Sequence, residues 1–261
     1  MNTVVIGHDY REQDAYDVCE WSLRHYARDP LRVVRLQERD LRRAGIYDRP
    51  FRVDEKGQFW DDRDGKPFST AFSFARFLTP LVARAEGQAR GFALFVDCDF
   101  VFRKDVGELF KLADPTKAVQ VVKHAHRPAN GRKMDDMSQQ AYGRKNWSSC
   151  ILWNLDHEAN DALTPRMVNT MPGSWLHGFG WLPDDLIGSL PETWNWLVGH
   201  SPTAGEFYTL AEIGALHFTD GGPWFDWMKG CPLAGEWLDA QAKMRAEQWK
   251  PLEDVPAWAA E

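Results

Sequence analysis

The stretch GFALFVDCDFVF, residues 91–102, limits the folds open to this chain more than any other. Its first half is a continuous apolar run, which suits a strand covered on both faces. Such strands belong to parallel sheets packed between helices. Its second half carries Asp97 and Asp99, one residue apart, where that strand ends. If the strand continues through this point, alternation aims both carboxylates the same way and turns Cys98 to the other face. Two buried like charges repel unless a proton or a cation neutralises them. A divalent cation neutralises both, and oxygen ligands suit Mg²⁺ or Mn²⁺, ions that keep positions open for phosphate oxygens. In open α/β sheets, ligands bind beyond the carboxyl ends of the strands. The competing reading is a plain strand-end turn with an Asp cap.

The rest of the chain supplies the partners such a strand needs. TVVIG, residues 3–7, reads as a first parallel strand ending in Gly. Residues 15–26 place Ala15, Val18, Cys19, Leu23 and Tyr26 at helical spacing, Pro30 stops the helix, and LRVVRL is a second strand. This βαβ opening implies a right-handed crossover. Residues 40–66, rich in Arg, Asp and Gly, read as an excursion with little regular structure. A helix is expected over 69–85, broken after Thr79 by Pro80. VGELFKLA reads as a short helix, AVQVVKH and WSSCILWNL as strands, and MDDMSQQAY as irregular or a short helix. HEANDALTPRMVNTM reads as a helix interrupted near Pro165. The final third, from Pro172, is loop-rich, and an amphipathic helix near residues 236–249 closes the chain. With no internal repeat and no linker, the expectation is one α/β domain: a mostly parallel central sheet flanked by helices, with a loop-rich C-terminal third.

Composition narrows the function. The net charge of −7 argues against a nucleic-acid-binding surface over the whole protein. Charge is uneven, because residues 24–52 hold nine Arg and only four acids. A solvated helix face is one reading of that run and attraction of an anionic substrate the other. Cys19, Cys98, Cys150 and Cys231 form no CxxC pair and no metal-ligand spacing, which fits a reducing cytoplasm. The N-terminus lacks the pattern of a signal peptide, and no run approaches the roughly 18 apolar residues of a membrane span. A soluble cytoplasmic protein is expected. The 13 Trp residues read either as sugar platforms or as packing of irregular loops.

A second chemical signal is GALHFTDGGPWF, residues 214–225, with a His at the end of an apolar segment and a Gly-Gly-Pro-Trp run after it. Neutral imidazole suits Mn²⁺ better than Mg²⁺. The backbone of Gly221 and Gly222 can approach a diphosphate closely and donate N–H bonds to it.

At these residues the chain resembles glycosyltransferase family 8, the glycogenin-like and galactosyltransferase-like retaining enzymes of GT-A (Rossmann-like) fold. The resemblance runs in order through VVIGHDYREQDAY, FSTAFSFARFLTP, FVDCDFVF, NWSSCILWNL, WLPDDLIGSLPETWNWL and LHFTDGGPW. YGRKNWSSCILWN and IGSLPETWNWL resemble an uncharacterised bacterial branch of that family. The resemblance implies that Asp97, Asp99 and His217 hold Mn²⁺ (or Mg²⁺) against the diphosphate of a nucleotide-sugar, a UDP-sugar being expected. Asp9, with His8 and Tyr10 beside it, would contact the nucleotide base, and Arg76 the donor sugar or phosphate. Ser148 and Ser149 would lie near the donor sugar. Asp184 and Asp185 would act near the anomeric carbon, with no nucleophile assigned, and Asn195 would be structural. Residues 1–125 would form the nucleotide-sugar and metal half, and residues 126–261 the acceptor-side half of a single domain. Acceptor choice would fall to loops around residues 127–145 and 172–181.

Two departures stand out. The family's His loop commonly has a Lys before Pro-Trp, where this chain has Gly222, leaving the metal, the backbone, Lys229 or Arg76 to meet the diphosphate. Asp185 stands where Gln is usual. The expected activity is a metal-dependent retaining glycosyltransferase acting on an acceptor hydroxyl. The alternatives are a Mg²⁺-dependent nucleotidyltransferase and a catalytically silent carbohydrate- or partner-binding member of the fold.

Overall fold

The computed structural model describes residues 1–124, 132–133, 137–138, 144, 146–202 and 207–251. β1 (Asn2–Gly7), α1 (Gln13–Tyr26) and β2 (Leu31–Leu36) form the expected βαβ opening. α2 (Glu38–Arg43) and three short antiparallel strands follow: β3 (Phe51–Val53), β4 (Phe59–Asp61) and β5 (Pro67–Phe68). Next come α3 (Thr79–Ala85), β6 (Phe92–Val96), β7 (Phe100–Phe102), α4 (Gly107–Phe110) and β8 (Val119–Val121). β9 (Arg132–Lys133) pairs with β10 (Met137–Ser138). β11 (Cys150–Asn154), α5 (Pro165–Thr170), α6 (Gly173–His177) and β12 (Ile187–Ser189) lead to β13 (Trp196–Leu197), β14 (Ala215–His217) and α7 (Ala234–Ala246).

The main sheet runs β12-β8-β11-β6-β1-β2, and only β11 is antiparallel to its neighbours. β6 sits near the middle, with Ala93, Leu94, Phe95 and Val96 fully buried, which is why it reads as an unbroken apolar run. A second sheet, β13-β14-β7, continues from it. α1 serves two cores at once. Tyr16, Cys19 and Leu23 pack into the main cluster, while Val18 and Trp21 pack with Trp196, Leu216, Phe218 and Trp237 beneath α7. Each such apolar side chain contributes about 1.5–3 kcal/mol by burial, so α1 is the seam that joins the two sheets.

Several expectations are revised. The strand over 91–102 is not continuous: β6 ends at Val96, Asp97–Asp99 form a turn, and β7 joins the second sheet. The excursion over 40–66 contains α2 and two of three strands that close around Phe51, Phe59 and Phe68. Its charged positions hid that apolar face. The helix expected from residue 69 begins as turns and a 3₁₀ segment, Ala75–Leu78, and α3 proper carries Pro80 in its first turn. That is a position where proline's missing N–H costs nothing. Most of MDDMSQQAY and of the expected acceptor loop at 127–145 lies outside the described residues. The Trp residues serve largely as packing, since Trp153, Trp194, Trp196 and Trp237 are buried, although Trp227 is 55% exposed.

Candidate metal centre and active site

The turn between the two sheets builds the site. The Asp97 N–H donates to the Ser149 carbonyl at 3.0 Å, which holds the end of β6 against the start of β11. The Asp99 carbonyl accepts from Phe218 N–H at 3.0 Å, just after β14. Asp97 and Asp99 therefore come together through a break between sheets, not through alternation along one strand. His217 ends β14, paired in register with Phe100, and its ring stacks on Phe100 with centroids 4.5 Å apart. Asp97, Asp99 and His217 each offer one ligand atom, and these atoms lie within 4.8 Å of one another.

Asn195, with 0% exposure, directs Nδ2 at Ser149 Oγ (3.0 Å) and the Asn146 carbonyl (3.4 Å). Its Oδ1 therefore faces His217 Nδ1 at 2.7 Å, so Nδ1 carries the proton and Nε2 presents a lone pair. That lone pair lies 3.3 Å from Asp99 Oδ1. Both atoms are buried and neither has a hydrogen-bond partner. Two acceptors facing each other in a buried site are unfavourable unless a cation is shared between them. Cis ligands on an ion with bonds of about 2.1 Å stand about 3 Å apart, so the observed spacing fits a divalent cation.

The surrounding residues brace this pair. Arg76 is buried and donates Nη1 to Asp97 Oδ1 at 2.7 Å and to the Ser148 carbonyl at 2.8 Å, while Nε donates to the Ser73 carbonyl. Ser148 Oγ pairs with His177 Nδ1 at 2.7 Å, and Ser149 Oγ donates to the Asn146 carbonyl. Beneath the turn, Glu12 accepts from Trp224 Nε1 at 3.2 Å and from the Cys98 thiol at 3.7 Å. Burial, and then the charges of Asp99 and Asp9, hold the Glu12 carboxyl well above the usual carboxylate range. Sequence reasoning passed over Glu12 because its position in a polar loop gives no sign of burial.

The loop after His217 turns on its two glycines. Gly221 sits at φ +100°, in the region that favours glycine, and a Cβ on Gly222 would stand 2.1 Å from the Trp224 ring. The Gly221 N–H is committed to the Phe218 carbonyl, which corrects the expectation that both glycine amides are available to a diphosphate. Lys229 pairs with Asp226 on the exposed surface.

His8, Asp9 and Tyr10, expected to contact a nucleotide base, lie at the carboxyl end of β1. Asp9 is fully buried, and its oxygens accept from Arg11 and from Ala71 N–H, so it anchors this loop. His8 is buried against Tyr16 and paired with Gln13, and burial lowers its pKa. Tyr10 is 68% exposed. Asp184 and Asp185 are not brought to the cluster. They immediately precede β12, whose Ile187 aligns with Val119, Trp153 and Ala93 near the start of β6, whereas Asp97 follows its end. Asp184 is bound by Arg144, and the Asp185 carbonyl accepts from Lys117.

No family model matches this chain. It is 39% identical over 252 residues to Protein CDI of Arabidopsis thaliana, a match spanning 97% of this chain and 90% of that protein. The chain belongs to the Protein CDI family. That relative is a plant protein, whereas the sequence segments had pointed to a bacterial branch. Solved structures add the fold. The bifunctional glycosyltransferase WbbM aligns with a TM-score of 0.59 at 14% identity, over 94% of this chain and 50% of that one, so the chain spans half of its length. The glycosyltransferase GlyE of Streptococcus pneumoniae aligns at 0.57 and 13% identity, over 96% of this chain and 65% of that one. The galactosyltransferase LgtC, solved with donor and acceptor sugar analogues, aligns at 0.52 and 13% identity, over 94% and 99%. This member of the CDI family has the GT-A fold. Among the described residues, no helix is long and apolar enough to cross a membrane.

Proposed function

We propose that this chain is a metal-dependent retaining glycosyltransferase of the family 8 type, moving a sugar from a nucleoside-diphosphate sugar, UDP-linked, to an acceptor hydroxyl. The observation that carries the reading is the buried Asp99–His217 pair, two acceptor atoms 3.3 Å apart with no hydrogen-bond partner. Asp97, Asp99 and His217 would hold the ion, and the imidazole ligand favours Mn²⁺ over Mg²⁺. When bound, the ion supplies Lewis-acid stabilisation of the charge that develops on the leaving diphosphate.

The chain's own residues do the rest. Arg76 holds Asp97 in place and keeps a permanent guanidinium charge beside the diphosphate, partly replacing the absent lysine. Asp9 and His8 fix the loop that presents the exposed Tyr10 ring as a face for the base. Ser148 and Ser149 line the route to the donor sugar, with their hydroxyls tied to His177 and Asn146. The Gly222 backbone approaches the diphosphate. Asp184 and Asp185 are assigned no chemical step, because they lie at the other end of the sheet. The four free thiols suit work in a reducing compartment such as the cytoplasm.

The test is incubation with Mn²⁺ and a panel of nucleotide-sugars, following nucleoside diphosphate release with and without acceptors. Release dependent on Mn²⁺ and lost on Asp99→Ala is the expected result. Diphosphate release from nucleoside triphosphates without sugar transfer would replace the reading with nucleotidyl transfer. Absence of any nucleotide binding would leave a silent binding protein.

A further inference from the structure

A cavity of about 630 Å³ opens at the carboxyl ends of β8 and β12, and the proposed reaction has not yet used it. Its walls include Lys123, His124, Ser189, Glu192 and His200. None of the described residues lining it is Phe, Tyr or Trp. Two contacts fasten it to the metal centre. Leu197, on its wall, is the register partner of His217, and the His124 carbonyl accepts from Trp147 Nε1, one residue before Ser148.

The order of strands gives a ruler. Neighbouring strands stand about 4.8 Å apart. With the base over the end of β1 and the diphosphate at β6, the donor sugar falls over β11. The next space along, about 10–14 Å from β6, is the end of β8 and β12. We infer that this cavity is the acceptor pocket and that it takes a small hydroxylated molecule carrying one acidic group.

Size and wall chemistry support that class. The volume is in the range of small-molecule sites, and the described wall residues include no Trp, Tyr or Phe face of the kind a polymeric sugar stacks on. Among the described lining residues its permanent cation is Lys123, whose ammonium spends one N–H on the Ile187 carbonyl at 2.6 Å and lies 5.7 Å over the Trp147 ring. His124 adds an imidazole to the wall, while His200 Nε2 is already held by Asp220 Oδ2 at 2.5 Å. Among the described lining residues the carboxylate is Glu192, whose Oε1 accepts from the Ser201 hydroxyl at 2.6 Å. Lys123, which has N–H groups beyond the one given to Ile187, is the side chain that would pair with a phosphate or carboxylate on the ligand.

This inference rests on the glycosyltransferase reading, and its test separates the two. Ligand-observed NMR on the metal-free protein uses glucose 6-phosphate, glucuronate and glucose as probes at about 10 mM. At least one acidic sugar is expected to bind at least tenfold more tightly than glucose. That binding should weaken at least tenfold in Lys123→Gln and in the cavity-filling Ser189→Trp, and stay unchanged in Asp99→Ala. Which acidic probe binds tells phosphate from carboxylate. Equal binding of glucose, no binding of either acidic sugar, or binding indifferent to both cavity variants would overturn the pocket while leaving Mn²⁺-dependent donor hydrolysis standing. Acidic-sugar binding without any nucleotide-sugar turnover would leave the pocket standing and remove the glycosyl-transfer reading.

Discussion

Two buried charged pairs in this molecule have opposite constructions. Arg49 and Asp61, each 1% exposed, form a two-pronged pair. Arg49 also donates to the Val168 and Met171 carbonyls, and Asp61 also accepts from Arg63 N–H. This pair locks the small β3–β5 sheet onto the end of α5. Asp99 and His217 are also buried, yet the facing atoms Oδ1 and Nε2 are acceptors without hydrogen-bond partners. A closed pair holds a fold together. A pair left open, in a site where Arg76 and Asn195 already fix its neighbours, is built around something that arrives later.

The largest effect comes from breaking the closed pair. Arg49→Met strands the Asp61 carboxylate and removes donors from two carbonyls, so a loss of about 3–5 kcal/mol in urea unfolding is expected. Metal binding by the fraction still folded should be unchanged.

The open pair should behave in the opposite way. Asp99→Asn places an N–H opposite the His217 lone pair, so the metal-free protein is expected to gain about 1 kcal/mol. Mn²⁺-dependent donor turnover should fall at least about a hundredfold. A destabilised metal-free variant would show that the pair is closed after all.

Asn195 sharpens the contrast because it holds His217 from behind. Asn195→Leu is expected to weaken Mn²⁺ binding about 10–100-fold, with ¹⁵N NMR showing loss of the single Nδ1–H form of His217. Asn195→Asp, which can still accept from Nδ1, should recover part of both.

The smallest effect concerns Glu12. Its folded pKa is raised above 4.5, so the folded chain keeps a proton that the unfolded chain loses, and stability declines as pH rises above about 4.5. Glu12→Gln should remove that decline, and its stability advantage over the parent chain should grow with pH in metal-free unfolding curves.

The sequence made the sheet legible where period and composition agreed. β1, β6 and β11 are largely apolar runs between turn residues, β2 is a short Leu/Val strand carrying two Arg, and α1 repeats at helical spacing. Asp97, Asp99 and His217 were visible as chemistry out of place, carboxylates on an apolar strand and a His before two glycines. Their convergence comes from a strand break between two sheets, which looks in sequence like one longer strand. Asn195 was read as structural; its function depends on an amide orientation that only its buried partners determine. The β3–β5 sheet was hidden because Arg49 and Asp61 look like surface charge until they are seen to face each other. Asp184 and Asp185 were misplaced by resemblance of motif alone, since no local pattern reports which end of an edge strand a segment precedes.

The most direct test of an open cation site is thermal unfolding of the purified chain with and without Mn²⁺, in parent and Asp99→Asn forms. At a metal concentration about 100 times Kd, the parent chain should gain about 2.7 kcal/mol, and Asp99→Asn should gain nothing measurable. A parent chain indifferent to Mn²⁺, or a variant stabilised as much as the parent, would contradict the account.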